Sequence, residues 1–201
     1  MLNTFVYCMP GMAASPKIFE FLDLPSPYVI RLLHWIPPKK EEPLDQYAQR
    51  MCEQIDSEYP ILLGVSFGGV LVQEMAKIIE TKKIIIVSSI KTSNELPLPM
   101  KMAERTKIHK LLPVQWIENI DALALFAFGK RLKDRISLYQ KYLSERDPDY
   151  LRWAIDALVH WKQNETSQNS IHIHGNKDTV FPPKNLEAPV HFVDGGHAII
   201  L

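Results

Sequence analysis

The sequence has few of the features that mark specialised protein classes. Its two cysteines, Cys8 and Cys52, are too few for a disulfide framework or a cysteine-rich zinc site. Lysines and arginines number 23, as do aspartates and glutamates, so the net charge is zero and neither nucleic acid nor an anionic membrane is the expected partner. The longest apolar run, residues 122–128, is far shorter than the ~18 residues that a membrane span needs.

The sequence also shows no targeting signal and no cofactor-binding motif. The first residues lack the basic start and apolar core of a signal peptide, so we expect a cytoplasmic protein. No cluster of metal ligands and no glycine-rich phosphate loop stands out, so we expect neither a metal nor a cofactor. With 201 residues, 46% of them apolar, the chain is long enough for one compact domain with a substantial core. A small molecule is then the expected partner.

Short apolar runs alternate with helical patterns in the first 90 residues. Strands are predicted at residues 4–8, 28–34, 60–65 and 84–87, and helices from Ser15, from Pro43 and over residues 69–80. Strands and helices that alternate at this spacing form βαβ units. The pattern therefore predicts an α/β protein with a mostly parallel sheet buried on both faces.

The pattern changes after residue 90. Helices without strands are predicted at residues 101–112, 113–128, 133–146 and 147–161, and two further strands at 170–174 and 190–193. We therefore predict one discontinuous core domain, residues 1–90 and 170–201, with a helical cap insertion at residues 91–169.

Gly64-Val65-Ser66-Phe67-Gly68 fits the Gly-x-Ser-x-Gly pattern of a nucleophile elbow. It lies where an elbow must lie, between a predicted strand and a predicted helix. Glycines on both sides let the backbone approach Ser66 closely, and the helix N-terminus favours developing negative charge. The alternative is a tight strand–helix turn with an incidental serine. In this context we predict that Ser66 is a nucleophile.

A serine nucleophile needs a base, and His197 is the predicted one. It follows the last predicted strand through Asp194-Gly195-Gly196, a turn that can place an imidazole over the edge of the sheet. The other histidines are expected to be structural or exposed, with His191 packed inside the last strand; they are His34, His109, His160, His172, His174 and His191.

The third member of such a site is a carboxylate that orients the imidazole. Asp178 leaves the preceding strand through the turn Gly175-Asn176-Lys177 and reaches the same sheet edge. Asp194 competes because it is nearer to His197 in sequence. We favour Asp178, since Asp194 ends a strand and is better placed to accept backbone N–H bonds there.

The order Ser66, Asp178, His197, each after a successive strand, resembles the α/β-hydrolase superfamily. The resemblance covers nearly the whole chain, including the His-Gly-x-x-Asp stretch that ends at Asp178 and the insertion before the last two strands. It implies an α/β-hydrolase fold with a mostly parallel central sheet of about six strands flanked by helices. The chain starts on what resembles the family's third strand and ends four residues after His197. We therefore expect a minimal version of the fold, whose exposed sheet edge a second copy in a homo-oligomer would cover.

The resemblance also implies a function. A Ser66–His197–Asp178 triad would cleave a small ester or thioester through an acyl-enzyme, as a carboxylic ester hydrolase does. The oxyanion hole would use the backbone N–H groups of Phe67 and Met12, although many relatives have His-Gly where this chain has Pro10-Gly11. Amide, lactone and carbon–carbon bond hydrolysis use the same triad and stay open, whereas the branches with an aspartate nucleophile are disfavoured. The alternative is a non-catalytic protein that binds a small ligand on the same fold.

Overall fold

A computed structural model describes residues 3–107, 141–167 and 169–201. Within these ranges, six strands form one all-parallel sheet in the order β2-β1-β3-β4-β5-β6. The strands are β1 (Thr4–Met9), β2 (Tyr28–Leu32), β3 (Ile61–Val65), β4 (Lys83–Val87), β5 (Ser170–Gly175) and β6 (His191–Val193). The predicted α/β class and six-stranded parallel sheet are confirmed.

Four α-helices accompany the sheet in the described residues: α1 (Leu44–Met51), α2 (Phe67–Met75), α3 (Leu98–Thr106) and α4 (Pro148–His160). The helix predicted from Ser15 is only one 3-10 turn, Pro16–Phe19. Pro16, Ile18 and Phe19 are buried, but Glu20 and Phe21 are exposed, so no buried helical face continues beyond this turn. The helix predicted at 113–128 and most of that predicted at 133–146 lie outside the described residues.

The sheet is buried on both faces because strands β1, β3 and β4 are apolar at every position except their first residues Thr4 and Lys83. In β1, Val6 and Cys8 join one core cluster, while Tyr7 and Met9 join the other. This split follows from the two-residue repeat of a strand. The buried residues of α1 pack in the second cluster, and most of those of α4 pack in the first. Helix α2 contributes to both clusters, with Leu71, Val72 and Met75 in the second and Phe67 and Val70 in the first.

Helix α4 is attached directly to α2. The Asp147 carboxylate accepts the Tyr150 N–H at 2.8 Å and so caps the start of α4. Beyond its end, the Trp161 indole donates to Glu74 at 2.6 Å, and Gln163 donates to Gln73 at 2.9 Å. The predicted cap insertion at residues 91–169 thus includes one helix that packs on the core, and the division into core and cap stays a prediction.

A buried ion pair fixes the segment between Asp178 and His197. Lys91 is 2% exposed and Glu95 is fully buried. The Glu95 carboxylate accepts the backbone N–H groups of Lys91 at 2.6 Å and Glu187 at 2.8 Å. The Lys91 ammonium donates to the carbonyl oxygens of Glu187 and Pro189. The pair is therefore bonded to the β5–β6 connection through the Glu187 N–H and the carbonyl oxygens of Glu187 and Pro189.

Strand β6 lies at one edge of the sheet, and all three of its residues are exposed. The prediction that His191 is packed is therefore wrong. A strand's local sequence does not show which of its neighbours are present, and β6 pairs with β5 alone. A second copy that covers this edge stays a prediction. Among the described residues, no helix is both long and apolar enough to cross a membrane.

Replacing Glu95 with alanine should destabilise the fold strongly. The change leaves the buried N–H of Lys91 and the partly buried N–H of Glu187 without an acceptor, and the buried Lys91 ammonium without its countercharge. Breaking a buried pair on one side typically costs about 3–5 kcal/mol, which urea unfolding would measure. Glu104→Ala is the control, because its ion pair with Lys162 is exposed and should contribute little. Similar urea midpoints for both variants would contradict a structural role for Glu95.

Candidate active site

The site lies where the strand order of the sheet reverses. Strand β1 pairs with β2 on one side and β3 on the other, so the chain leaving β1 and the chain leaving β3 diverge from neighbouring positions. In parallel α/β sheets this point forms the crevice in which ligands bind. The loop Pro10-Gly11-Met12 follows β1, and Ser66 follows β3.

Ser66 occupies a strained turn between β3 and α2. Its φ of 53° and ψ of −123° lie in a region that residues other than glycine rarely adopt. A Cβ at Gly64 would lie 2.3 Å from the Gly68 carbonyl oxygen, and one at Gly68 would lie 2.3 Å from that of Pro10. Both contacts are with backbone, so only glycine fits at either position. The predicted elbow geometry is present.

Neighbouring strand residues hold the strained turn in place. The Ser66 N–H donates to the Val87 carbonyl at 2.9 Å, and the Ser89 hydroxyl donates to the Ser66 carbonyl at 2.7 Å. The first bond continues the β3–β4 ladder, and the second crosses to the loop after β4. Both backbone groups of Ser66 are hydrogen-bonded, so its backbone is fixed, and its hydroxyl takes no part in these two bonds.

Ser66, His197 and Asp178 form a hydrogen-bonded chain. The Ser66 hydroxyl lies 2.9 Å from His197 Nε2, and His197 Nδ1 lies 2.8 Å from Asp178 Oδ2. An ionised carboxylate only accepts, so Nδ1 carries the proton and Nε2 is free to accept from the serine. Asp194, the competing carboxylate, instead pairs with Lys177 at 2.6 Å on the exposed surface.

The Asp178 carboxylate is 3% exposed, yet both its oxygens are satisfied. Oδ1 accepts the backbone N–H groups of Val180 at 2.7 Å and Phe181 at 3.0 Å. Burial alone would raise the pKa of Asp178, but hydrogen bonds from His174 and His197 outweigh it and hold that pKa well below its usual range. Asp178 is therefore ionised at neutral pH.

Two histidines continue the chain behind Asp178. His174 Nε2 lies 3.1 Å from Asp178 Oδ2 and 2.9 Å from the Phe181 carbonyl, so it carries a proton. His172 Nε2 lies 3.1 Å from His174 Nδ1 and extends the chain by one more hydrogen bond. Burial lowers the pKa of His172 to about 3, so it is neutral at physiological pH. The sequence predicts both to be structural or exposed; the signal for their role is that they alternate on one face of β5, six and four residues before Asp178.

Met12 and Phe67 both border the space beside Ser66. Phe67 is the first residue of α2, and its side chain is 1% exposed. The loop before Met12 presses against the nucleophile, since a Cβ on Gly11 would lie 3.3 Å from the Ser66 Cβ. The structure thus brings all five residues of the predicted site to one place.

An apolar cavity of about 90 Å³ opens at Ser66. Apart from Ser66, Tyr142 and His197, the described lining residues have nonpolar side chains or are glycine, and they include Ile18, Leu143, Leu158 and Val180. Leu143 and Leu158 come from the predicted insertion. No group of three or more potential metal ligands occurs among the residues that the structure describes.

Known proteins match this chain in fold but not in sequence. No protein-family model matches the sequence, and no curated protein matches it. Many solved structures match the fold. A hydrolase from Oleispira antarctica superposes with a TM-score of 0.73 at 11% identity, covering 100% of this chain and 86% of that one.

Two other structures give the same result. A hydrolase from Pseudomonas aeruginosa has a TM-score of 0.71 at 13% identity, over 98% of this chain and 83% of that one. A thermophilic esterase from Thermogutta terrifontis has a TM-score of 0.68 at 12% identity, over 98% and 83%. The chain has the α/β-hydrolase fold, as the sequence motifs predicted.

The low pKa of Asp178 predicts a specific pH dependence of stability. Its folded pKa lies below the unfolded value of about 3.9, so the ionised carboxylate stabilises the fold above that pH and this stabilisation is lost as pH falls further. The Asp178→Asn variant lacks the ionisable carboxylate and therefore lacks this pH-dependent stabilisation. The difference in unfolding free energy between wild type and variant, from urea unfolding, should be largest above about pH 5 and shrink below about pH 4. A difference that is constant from pH 6 to pH 3 would contradict this account.

Proposed function

We propose that this protein is a serine hydrolase that cleaves a small ester or thioester through an acyl-enzyme. One observation carries the proposal: Ser66 Oγ, His197 Nε2 and Nδ1, and Asp178 Oδ2 form a continuous hydrogen-bonded chain at the mouth of an apolar cavity. A serine hydroxyl is a weak nucleophile unless a base takes its proton as it attacks. The hydroxyl here is already bonded to an imidazole whose other nitrogen is held by a carboxylate.

Acylation follows from these bonds. As Ser66 Oγ attacks the carbonyl carbon, its proton moves to His197 Nε2, and the tetrahedral intermediate forms. Asp178, ionised and buried, stabilises the imidazolium that results. When the intermediate collapses, the bond to the alcohol or thiol breaks, and that leaving group takes the proton from Nε2. Ser66 then carries the acyl group.

Deacylation uses the same groups in reverse. A water molecule loses a proton to His197 Nε2 and attacks the acyl carbonyl carbon. The bond to Ser66 Oγ breaks, Oγ recovers the proton, and a carboxylic acid leaves. No cofactor or metal is needed for either half.

Negative charge that develops on the carbonyl oxygen is stabilised by backbone donors. We assign this role to the N–H groups of Met12 and Phe67, which border the cavity beside Ser66. Phe67 opens α2, so the positive end of that helix's dipole lies at the same point. Because the donors belong to backbone, Pro10-Gly11 can serve as well as His-Gly in this loop.

The cavity limits the acyl group. A cavity of about 150 Å³ holds one benzene molecule, so about 90 Å³ holds roughly three or four carbon atoms. Among the residues that the structure describes, the lining offers no charged partner besides His197, which favours an uncharged aliphatic acyl chain. Leu143 and Leu158 close it from one side, and this contact supports the proposal that residues 91–169 form a substrate-binding cap.

Ser66→Ala should abolish ester hydrolysis without unfolding the protein. Removing the nucleophile of such a triad lowers turnover by about 10⁶-fold. The first measurement is intact mass after treatment with a fluorophosphonate, which reacts with an activated serine. We expect one adduct on wild type and none on Ser66→Ala. Ser88→Ala is the matched control: Ser88 also follows a strand at positive φ but is fully buried, and that variant should still be labelled.

Labelling of Ser66→Ala, or its retained activity, would overturn the proposal. A folded wild type that gives no adduct and no ester hydrolysis would favour the alternative, a non-catalytic protein that binds a small ligand at the same cavity.

The acyl-chain dependence tests the cavity. Among p-nitrophenyl esters, kcat/KM should be highest for acyl chains of two to four carbons and at least about 10-fold lower for octanoate, because a single methylene that does not fit is worth that much. Leu143→Ala removes one wall and should raise the octanoate-to-butyrate ratio of kcat/KM. Equal kcat/KM for butyrate and octanoate in the wild type would contradict this assignment.

A further inference from the structure

Trp35 contacts both parts of the proposed oxyanion hole. It lies three residues beyond β2 and is partly buried. Its indole Nε1–H donates to the Gly11 carbonyl oxygen at 3.2 Å. Its ring also stacks on that of Phe67, with 5.5 Å between ring centroids and 8° between ring planes. One side chain therefore links the loop after β1 to the first residue of α2.

The bond to Gly11 fixes the direction of the Met12 N–H. The carbonyl of one residue and the N–H of the next belong to one rigid plane and point in opposite directions when the peptide is trans. The Gly11–Met12 peptide is trans, since the cis bonds lie at Ser26-Pro27 and Ala188-Pro189. A donor that holds the Gly11 oxygen on one side consequently holds the Met12 N–H on the other.

The orientation of the Gly11–Met12 peptide is weakly restrained by Gly11 itself. Gly11 has no side chain and allows more backbone conformations than any other residue type. If the peptide turned over, it would present a carbonyl oxygen, instead of an N–H, where negative charge develops. The Ala14 N–H also donates to Gly11 O, at 3.0 Å, but that bond closes a turn within the same loop. Trp35 is the restraint that comes from outside the loop.

Trp35 is itself held in one orientation. Its ring lies 5.1 Å from that of Tyr150 on α4 and 6.3 Å from that of Tyr47 on α1, measured between centroids. Aromatic contacts at these separations favour specific ring arrangements. The indole N–H can therefore act as a fixed donor.

We propose that Trp35 is a positioning residue for the oxyanion hole: its indole N–H orients the Gly11–Met12 peptide, and its ring supports Phe67. The inference rests on the proposed function, because it concerns how that site stabilises charge. Trp35 is not among the described residues that line the cavity at Ser66, so in this proposal it acts through the two backbone donors. Prearranged donors are effective because they need no reorganisation during the reaction.

Trp35→Phe tests the indole N–H, since it retains an aromatic ring and removes the donor. We expect kcat for p-nitrophenyl acetate to fall about 10-fold with KM changed less than about twofold. Deleting an oxyanion-hole donor outright lowers kcat by about 10²–10³-fold, and the Ala14 bond keeps the loss smaller here. The affinity for a trifluoromethyl ketone, which mimics the tetrahedral intermediate, should fall by the same factor as kcat/KM.

Trp153→Phe is the matched control. Trp153 belongs to the same aromatic group, with its ring 6.0 Å from that of Phe67, but its indole donates to the Glu42 carbonyl at 2.7 Å. The same chemical change there should leave kcat within about twofold of wild type. If Trp35→Phe does not fold, β-(3-benzothienyl)alanine at position 35 keeps the bicyclic shape and lacks the N–H.

The outcomes separate this inference from the proposed function. A wild type without fluorophosphonate labelling and without ester hydrolysis would overturn both. An active wild type whose position-35 variants keep their kcat and their affinity for the ketone would overturn the role of Trp35 alone. Equal losses in Trp35→Phe and Trp153→Phe would also overturn it, because the effect would then belong to packing of the aromatic group.

Discussion

The site depends on a backbone contact that only glycine permits. The carbonyl of Pro10, at the end of β1, lies where a side chain on Gly68 would have to be, and Gly64 meets Gly68 equally closely. These approaches press the first turn of α2 against the loop after β1. Without them, Ser66 would not be forced into its positive φ, and the β1 loop would not lie beside its hydroxyl. The rest of the site is arranged around this one close contact.

Asp178 keeps a negative charge in the interior of the protein because each of its oxygens has hydrogen-bond donors. An unpaired carboxylate in the interior would take up a proton. Here two backbone N–H groups and two imidazoles share its two oxygens, so the charged form is the stable one. The two N–H groups belong to the β5–β6 connection, which is held in turn by Lys91 and Glu95. The Lys91–Glu95 ion pair and the buried Asp178 carboxylate thus depend on the same stretch of chain.

Most of the fold, and the three residues of the Ser66–His197–Asp178 hydrogen-bonded chain, could be predicted from sequence, and the failures have a common cause. The elbow is a local pattern of five residues, and the strands are continuous apolar runs. His174 and Trp35 were missed because their roles depend on contacts with another element: Trp35 lies 24 positions from Gly11, and nothing near it in sequence points to that loop. His191 was predicted to be packed because an edge strand and a central strand share the same local pattern. Sequence shows what a residue can do, whereas its neighbours decide what it does.

Sequence is least informative about the proposed oxyanion hole, because its hydrogen-bond donors are backbone groups. The N–H groups of Met12 and Phe67 exist whatever side chains those residues carry, so residue identity says nothing about whether they point at the substrate. Their direction is set by what holds the carbonyl on the other side of each peptide. At Gly11 that partner is an indole from a different strand's loop. The residues that determine charge stabilisation at such a site are therefore found behind the peptide planes, on the side away from the substrate.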